Sequence, residues 1–119
     1  SDQSARAGQI VEYIDERITE ELAAPESYLL DRPIALLNAD DLDGALQPLK
    51  AWPAGHDAAH PRYYEALYWC ALATAYSDDL DGAEAAWKTV TEKAPDTIWG
   101  KYAQFYLDMV DQIRGRQPQ

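Results

Sequence analysis

The hexapeptide Asp-Asp-Leu-Asp-Gly-Ala stands at positions 40–45 and again, letter for letter, at 78–83, an offset of 38 residues in a chain of 119. Self-similarity at such a period marks a supersecondary unit that cannot bury its apolar face alone and stacks on its neighbour to do so. The shared register reaches past the hexapeptide, since Ile34-Ala35 falls on Leu72-Ala73 at the same offset. A second echo relates Trp69, Leu72, Ala73 and Tyr76 to Trp99, Tyr102, Ala103 and Tyr106, at an offset of 30.

Between these marks the apolar residues recur with a helical period. Ile10, Val11, Ile14, Ile18 and Leu22 make one stripe among acidic neighbours, and Pro25 ends or interrupts that helix. Tyr28, Leu29, Leu30, Ile34, Leu36 and Leu37 follow, with Pro33 expected to kink or restart the helix. The first hexapeptide leads into a short helix through Leu46, Leu49 and Trp52, bent or shortened by Pro48 and stopped by Pro53. Residues 54–60 read as a loop, and Pro61 suits the first turn of a helix running through Tyr64, Leu67, Tyr68, Leu72 and Tyr76. The second hexapeptide starts a helix with Ala83, Ala86, Trp87 and Val90 that ends near Ala94-Pro95. Asp96 or Thr97 caps a last helix, with Trp99, Tyr102, Ala103, Tyr106, Met109, Val110 and Ile113 on its apolar side. Gly115 stops it, and a frayed tail follows. No segment alternates with a period of two, so the chain is expected to be all-α, with about six helices joined by short turns.

A large aromatic, an apolar residue, a small residue and a tyrosine, at the spacing of Trp69, Leu72, Ala73 and Tyr76, resemble the first helix of a tetratricopeptide repeat (TPR). In that family a short turn leads to a second helix with a small residue, a bulky aromatic and a closing proline, places matched here by Ala83, Trp87 and Pro95. The resemblance implies one domain over 1–119, with antiparallel hairpins stacked as a short right-handed solenoid between N- and C-terminal capping helices. Its parts are an N-terminal helix over 1–24, a degenerate repeat over 26–53, a well-matched repeat over 62–95, a capping helix or half repeat over 96–114, and a tail over 115–119. The degenerate repeat has Asp31 and Asn38 where the aromatic and the tyrosine belong, and the turn after Tyr76 is shorter than the family's.

Composition narrows the function. With 21 acidic residues against 10 basic ones the formal charge is −11, which repels phosphate backbones and anionic lipid surfaces, and excludes nucleic acid as an expected partner. A basic partner would be steered in, while a plainly solvated acidic exterior gives the same count. No apolar run approaches the roughly 18 residues of a membrane span. The chain starts Ser1-Asp2-Gln3 with no readable targeting segment, so a soluble protein is expected, cytoplasmic, or periplasmic or secreted after removal of a signal.

The motifs that carry chemistry fail one by one. As a calcium loop the hexapeptide lacks the alternating oxygen ligands, with Leu42 at its third place and Ala45 at its sixth; as structure, Asp41 and Asp79 are placed to cap helices. His56 and His60 are four apart in "HDAAH", which invites a zinc reading, but Asp57 stands in place of the peptidase glutamate and Gly55 and Pro61 break the helix such a site needs. Cys70 is the single cysteine, mid-helix without a basic residue nearby, and reads as a small buried hydrophobe. No cofactor, metal site or catalytic set is expected.

Proteins of the TPR family mostly bind other proteins in the concave surface lined by the first helix of each pair. Carried over residue by residue, that surface takes in Arg32 and Leu36, Cys70 and Thr74, and Thr97 and Gln104. Tyr64 and Tyr68 join as candidates, because Tyr63, Tyr64 and Tyr68 on one helix cannot all be buried on one side. The expectation is a non-enzymatic scaffold or adaptor for a protein or peptide. A homo-oligomeric structural protein is the alternative, and a metal-dependent enzyme using the HDAAH loop ranks below both.

Overall fold

The structure, a computed structural model, describes residues 25–116; the helix expected over 1–24 and the tail from 117 lie outside the described residues. Five helices follow one another: α1 (Pro25–Asn38), α2 (Leu42–Ala54), α3 (Tyr63–Tyr76), α4 (Leu80–Lys93) and α5 (Ile98–Ile113). Each packs chiefly on the next in sequence, with lighter contacts of α3 to α5 and α1 to α3, and the described residues hold no strand. The described residues are all-α, as the periodicity predicts.

Both copies of the hexapeptide make one and the same turn. In the first, Asp40 takes a left-handed conformation (φ 63°), its N–H donates to Leu37 O (3.1 Å), and the Asp41 N–H donates to Leu36 O (2.9 Å). In the second, Asp78 (φ 68°) donates to Ala75 O (3.1 Å) and Asp79 to Thr74 O (3.1 Å). This pair of bonds is the Schellman closure, which satisfies the orphan carbonyls at a helix end. The second aspartate of each copy then caps the next helix, accepting from the Gly44 N–H at 3.0 Å and from the Gly82 N–H at 2.9 Å. Each cap contributes about 1 kcal/mol, and the third aspartate sits in the first turn, where the helix dipole favours negative charge. The closing alanines, Ala45 and Ala83, are fully buried at the hairpin contacts.

The core runs along the stack. Ala66, Ala71 and Ala73 are fully buried on α3, the middle helix, which lets α2 and α4 approach it closely. Trp87 of α4 fills the space beside α5, stacked on Tyr106 with ring centroids 4.9 Å apart and planes within 9°. Among the described residues its indole N–H has no hydrogen-bond partner, and packing holds the ring.

Several local expectations need correction. Pro33 does not restart α1, which runs unbroken across it; the buried Leu30 and Leu37 on either side hold the helix against a proline cost of about 3 kcal/mol. Pro53 does not stop α2, because so late in the helix it forfeits one bond while Leu49 and Trp52 stay packed; the stop comes at Gly55, whose N–H donates to Ala51 O and Trp52 O (both 3.2 Å). Pro61 lies ahead of α3, inside a turn closed by the Tyr63 N–H donating to His60 O (3.1 Å). Tyr76, expected in the core, is 59% exposed, since the last residue of α3 projects past the hairpin contact beside Leu37, Asp40 and Leu42. Arg116 is not frayed: α5 ends in a third Schellman closure with Gly115 (φ 69°) left-handed, and Arg116 is pinned by ion pairs.

Candidate functional site

Of the eight candidate residues, the structure brings Arg32 and Leu36 together. They line a shallow groove of about 470 Å³ between α1 and α2, with Leu29, Pro33, Asp41, Gly44 and Pro48. Leu29 is 58% exposed there, and the carboxylates of Asp31, Asp40 and Asp43 lie exposed on the same two helices and their turn. The groove therefore offers an apolar floor with one cation among acidic neighbours.

The equivalent positions 38 residues later have a different fate. Cys70 is half-buried on α3, and the charge of Lys50 on α2 reaches its thiol weakly. Burial pushes the Cys70 thiol up, outweighing the hydrogen bond from Thr74 and the charge of Lys50, so the nucleophilic thiolate is scarce at neutral pH. Thr74 is buried and cannot meet a partner in this packing.

Tyr68 is buried as well, which removes it as a contact residue. Its ring lies among Trp69, Trp99, Tyr102 and Tyr106, with centroids 5.1 to 6.0 Å away. Burial, with Tyr106 beside it, raises the phenol's pKa well above the ordinary range. Tyr64 is half-buried and edge-on to Tyr63 (5.3 Å), so one tyrosine of the three is buried and two keep partial exposure. Thr97 spends its hydroxyl as the cap of α5, accepting from the Gly100 N–H (3.1 Å) and donating to Ala94 O (2.7 Å). Gln104, half-buried, donates to Asp108 (3.0 Å).

The HDAAH loop is built as packing. The His56 Nδ1–H donates to Trp52 O (2.7 Å), and its ring stacks on the Trp52 indole at 3.8 Å. His60 Nδ1 accepts from the Arg62 N–H (3.0 Å), and its ring stands edge-on to both Trp52 and His56. Among the described residues no group of three or more His, Cys, Asp or Glu is placed to hold a metal ion.

Two charge networks escaped the sequence reading. Arg62 bridges Glu65 (2.8 Å) and Asp31 of α1 (2.7 Å), and Glu65 also accepts from the Trp69 indole (3.3 Å). These carboxylates, Glu65 first, hold the guanidinium protonated more firmly than usual. At the other end, buried Glu84 and Asp111 receive Arg116, while Arg114 reaches Asp81 (2.6 Å) and Glu84 (3.5 Å). The spacings of three between Arg62 and Glu65 and four between Glu65 and Trp69 were usable signals; Arg116 and Asp111 are five apart across a helix end, and the remaining partners are some 30 residues apart.

A third feature is the outer side of α5. Tyr102, Met109 and Ile113, expected to face the core with Ala103 and Val110, are exposed, along with Ile98 and Phe105. The expected apolar side straddled two faces: Ala103, Leu107 and Val110 point in, and the larger residues point out. No protein-family model, curated protein or solved structure matches the chain.

Proposed function

We propose that the protein is a non-enzymatic interaction module, a short TPR-like stack of helical hairpins that docks a partner protein or peptide in the groove beside Arg32 and Leu36. The observation that carries this reading is the identity of the two hairpin turns, 38 residues apart, each with a left-handed aspartate followed by a capping aspartate. Hairpins repeated with one geometry stack side by side, and what remains for recognition is the surface they leave uncovered. In the second hairpin the repeat-equivalent residues, Cys70 and Thr74, are half-buried and buried; in the first, Arg32 and Leu36 open on the groove. An apolar floor edged by aspartates suits a segment with apolar anchors and basic flanks, and the net charge of −11 steers such a segment in.

The test is affinity capture from the native source with the wild type, Leu29→Glu and Arg32→Glu. Leu29 and Arg32 are exposed, so neither change perturbs the core. A partner retained by the wild type and lost with Leu29→Glu supports the groove. A partner held equally by all three proteins refutes it.

A further inference from the structure

Five of the seven large hydrophobic side chains exposed among the described residues lie on α5, so the exposure is concentrated on one helix. They are Ile98 (52%), Tyr102 (45%), Phe105 (62%), Met109 (40%) and Ile113 (70%). Steps of four, three, four and four residues put them in one stripe about 22 Å long. The opposite side of the same helix, through Gly100, Ala103, Leu107 and Val110, is already buried against α3 and α4. A helix apolar on two opposite sides needs a second neighbour. We infer that a second copy of this chain packs on the stripe, α5 against α5, antiparallel about a two-fold axis near Phe105.

The identity of the occupant follows from the pattern. A two-fold interface must be complementary to itself, and this stripe reads nearly alike from either end. In the antiparallel pairing Ile98 meets Ile113, Tyr102 meets Met109, and Phe105 meets its own counterpart.

Charge points the same way. Lys101 and Asp108 are two turns apart on one flank of the stripe, and antiparallel packing sets each Lys101 near the Asp108 of the other copy. Parallel packing would set Lys101 against the opposite flank of the stripe, which holds no acidic residue. Lys101 makes no ion pair among the described residues, and Asp108 accepts from Gln104 alone among them. Although the chain carries −11, residues 98–116 hold three basic side chains, Lys101, Arg114 and Arg116, against two acidic ones, Asp108 and Asp111. The segment that carries the stripe therefore adds nothing to the overall acidity, and its two arginines already pair with Asp81, Glu84 and Asp111.

Size sets the strength. The five side chains expose on the order of 500 Å² per copy, so pairing removes about 1,000 Å² in total, the lower limit for a specific interface. An interface at that limit is a weak one, so pairing should depend on concentration.

Sedimentation velocity and light scattering from about 1 to about 500 µM should show a monomer passing to a dimer within that range. Phe105→Glu sets two carboxylates face to face at the axis and should raise the dissociation constant at least ~100-fold without loss of helix signal. Lys101→Asp should raise it ~10-fold, and Lys101→Asp with Asp108→Lys should return it to within about threefold of the wild type. A monomer throughout the range overturns the inference, and is the result expected if a different protein or another part of a longer chain covers the stripe. A dimer indifferent to Phe105→Glu, or a charge exchange that fails to restore pairing, overturns it too. The inference stands apart from the groove reading: Leu29→Glu should leave the dimer intact, and a monomer that still captures a groove-dependent partner leaves that reading in place.

Discussion

Replacing Gly100 with alanine sets two effects against each other. Gly100 is the third residue of α5, and helix preference alone favours alanine there by about 1 kcal/mol. Space opposes it: a Cβ on Gly100 would lie 2.1 Å from Ala94 O and 3.0 Å from Pro95 Cα, both backbone atoms. Relief requires about 1 Å of movement in the α4–α5 connection. The carbonyl that must move accepts from the Thr97 N–H (3.2 Å) and the Thr97 hydroxyl (2.7 Å), so the shift also strains the cap of α5. Overpacking costs about 1–3 kcal/mol and each weakened hydrogen bond about 1 kcal/mol. Net of the helix preference, Gly100→Ala should destabilise the protein by about 2–3 kcal/mol, lowering the melting temperature by roughly 10 °C. Urea titration followed by circular dichroism at 222 nm, with an unchanged denaturant slope, reads this directly. The internal control is Gly82→Ala, at the same third position of α4, where the Cβ would lie 2.6 Å from Asp79 Oδ2. A carboxylate at the end of a side chain can swing aside, and the weakened Asp79 cap, about 1 kcal/mol, is offset by alanine's helix preference of about the same size, so this change should stay within about 0.5 kcal/mol of the wild type. Equal stability of Gly100→Ala and the wild type, or equal losses at the two glycines, would refute the reasoning.

Three further outcomes follow. Asp78→Gly should stabilise by about 0.5–1 kcal/mol, because glycine takes the left-handed conformation without penalty, whereas Asp79→Ala should cost about 1 kcal/mol through the lost cap; thermal melts of the two variants test the opposite signs. Glu84→Gln removes the carboxylate that pins Arg116 and should cost about 1–2 kcal/mol, discounted because the arginine is partly exposed; limited trypsin digestion should cut after Arg114 sooner in the variant. Cys70 holds its proton longer in the folded state than in the unfolded chain, so this contribution to stability is full below the ordinary thiol range and is lost as pH rises through it and up to the folded value; Cys70→Ala should remove that alkaline slope, measured by urea titrations at stepped pH.

The turns were readable because they are local. Every bond that makes the hexapeptide a helix end and a helix start joins residues at most five apart, so composition at fixed offsets carries the whole instruction. The prolines were misjudged for the opposite reason, since what keeps α1 continuous across Pro33 is packing on a different helix. The side of α5 was misplaced because its apolar residues lie on two faces, and period alone does not say which face turns inward: Ala103 and Val110 are buried, Tyr102, Met109 and Ile113 exposed. The 30-residue echo does not mark equivalent places: α3 and α5 begin 35 residues apart, so Trp69 stands in the second turn of its helix and Trp99 in the first of its own, and the two indoles are neighbours in space, 5.9 Å apart. Of the candidate surface, Arg32 and Leu36 share a groove because their repeat position is left uncovered between α1 and α2. Tyr68 and Thr74 were lost because burial depends on partners that helical period alone does not name.

The third position of three helices, α2, α4 and α5, is glycine, and the same letter answers two different needs. At Gly44 and Gly82 the glycine lets a capping carboxylate lie over the helix start, an arrangement that tolerates adjustment. At Gly100 it lets one backbone cross another, which does not adjust. The α2–α3 connection spans eight residues and the α4–α5 connection four, so the first can wander through the stacked Trp52, His56 and His60 while the second must fold α5 back tightly on α4. Gly100 makes that tight return possible, and Arg114 and Arg116 fasten the far end of α5 to Asp81 and Glu84. Secured at both ends, α5 holds its outer stripe on a rigid helix. A rigid stripe loses little conformational entropy when it meets a second copy, which favours pairing even at a modest buried area.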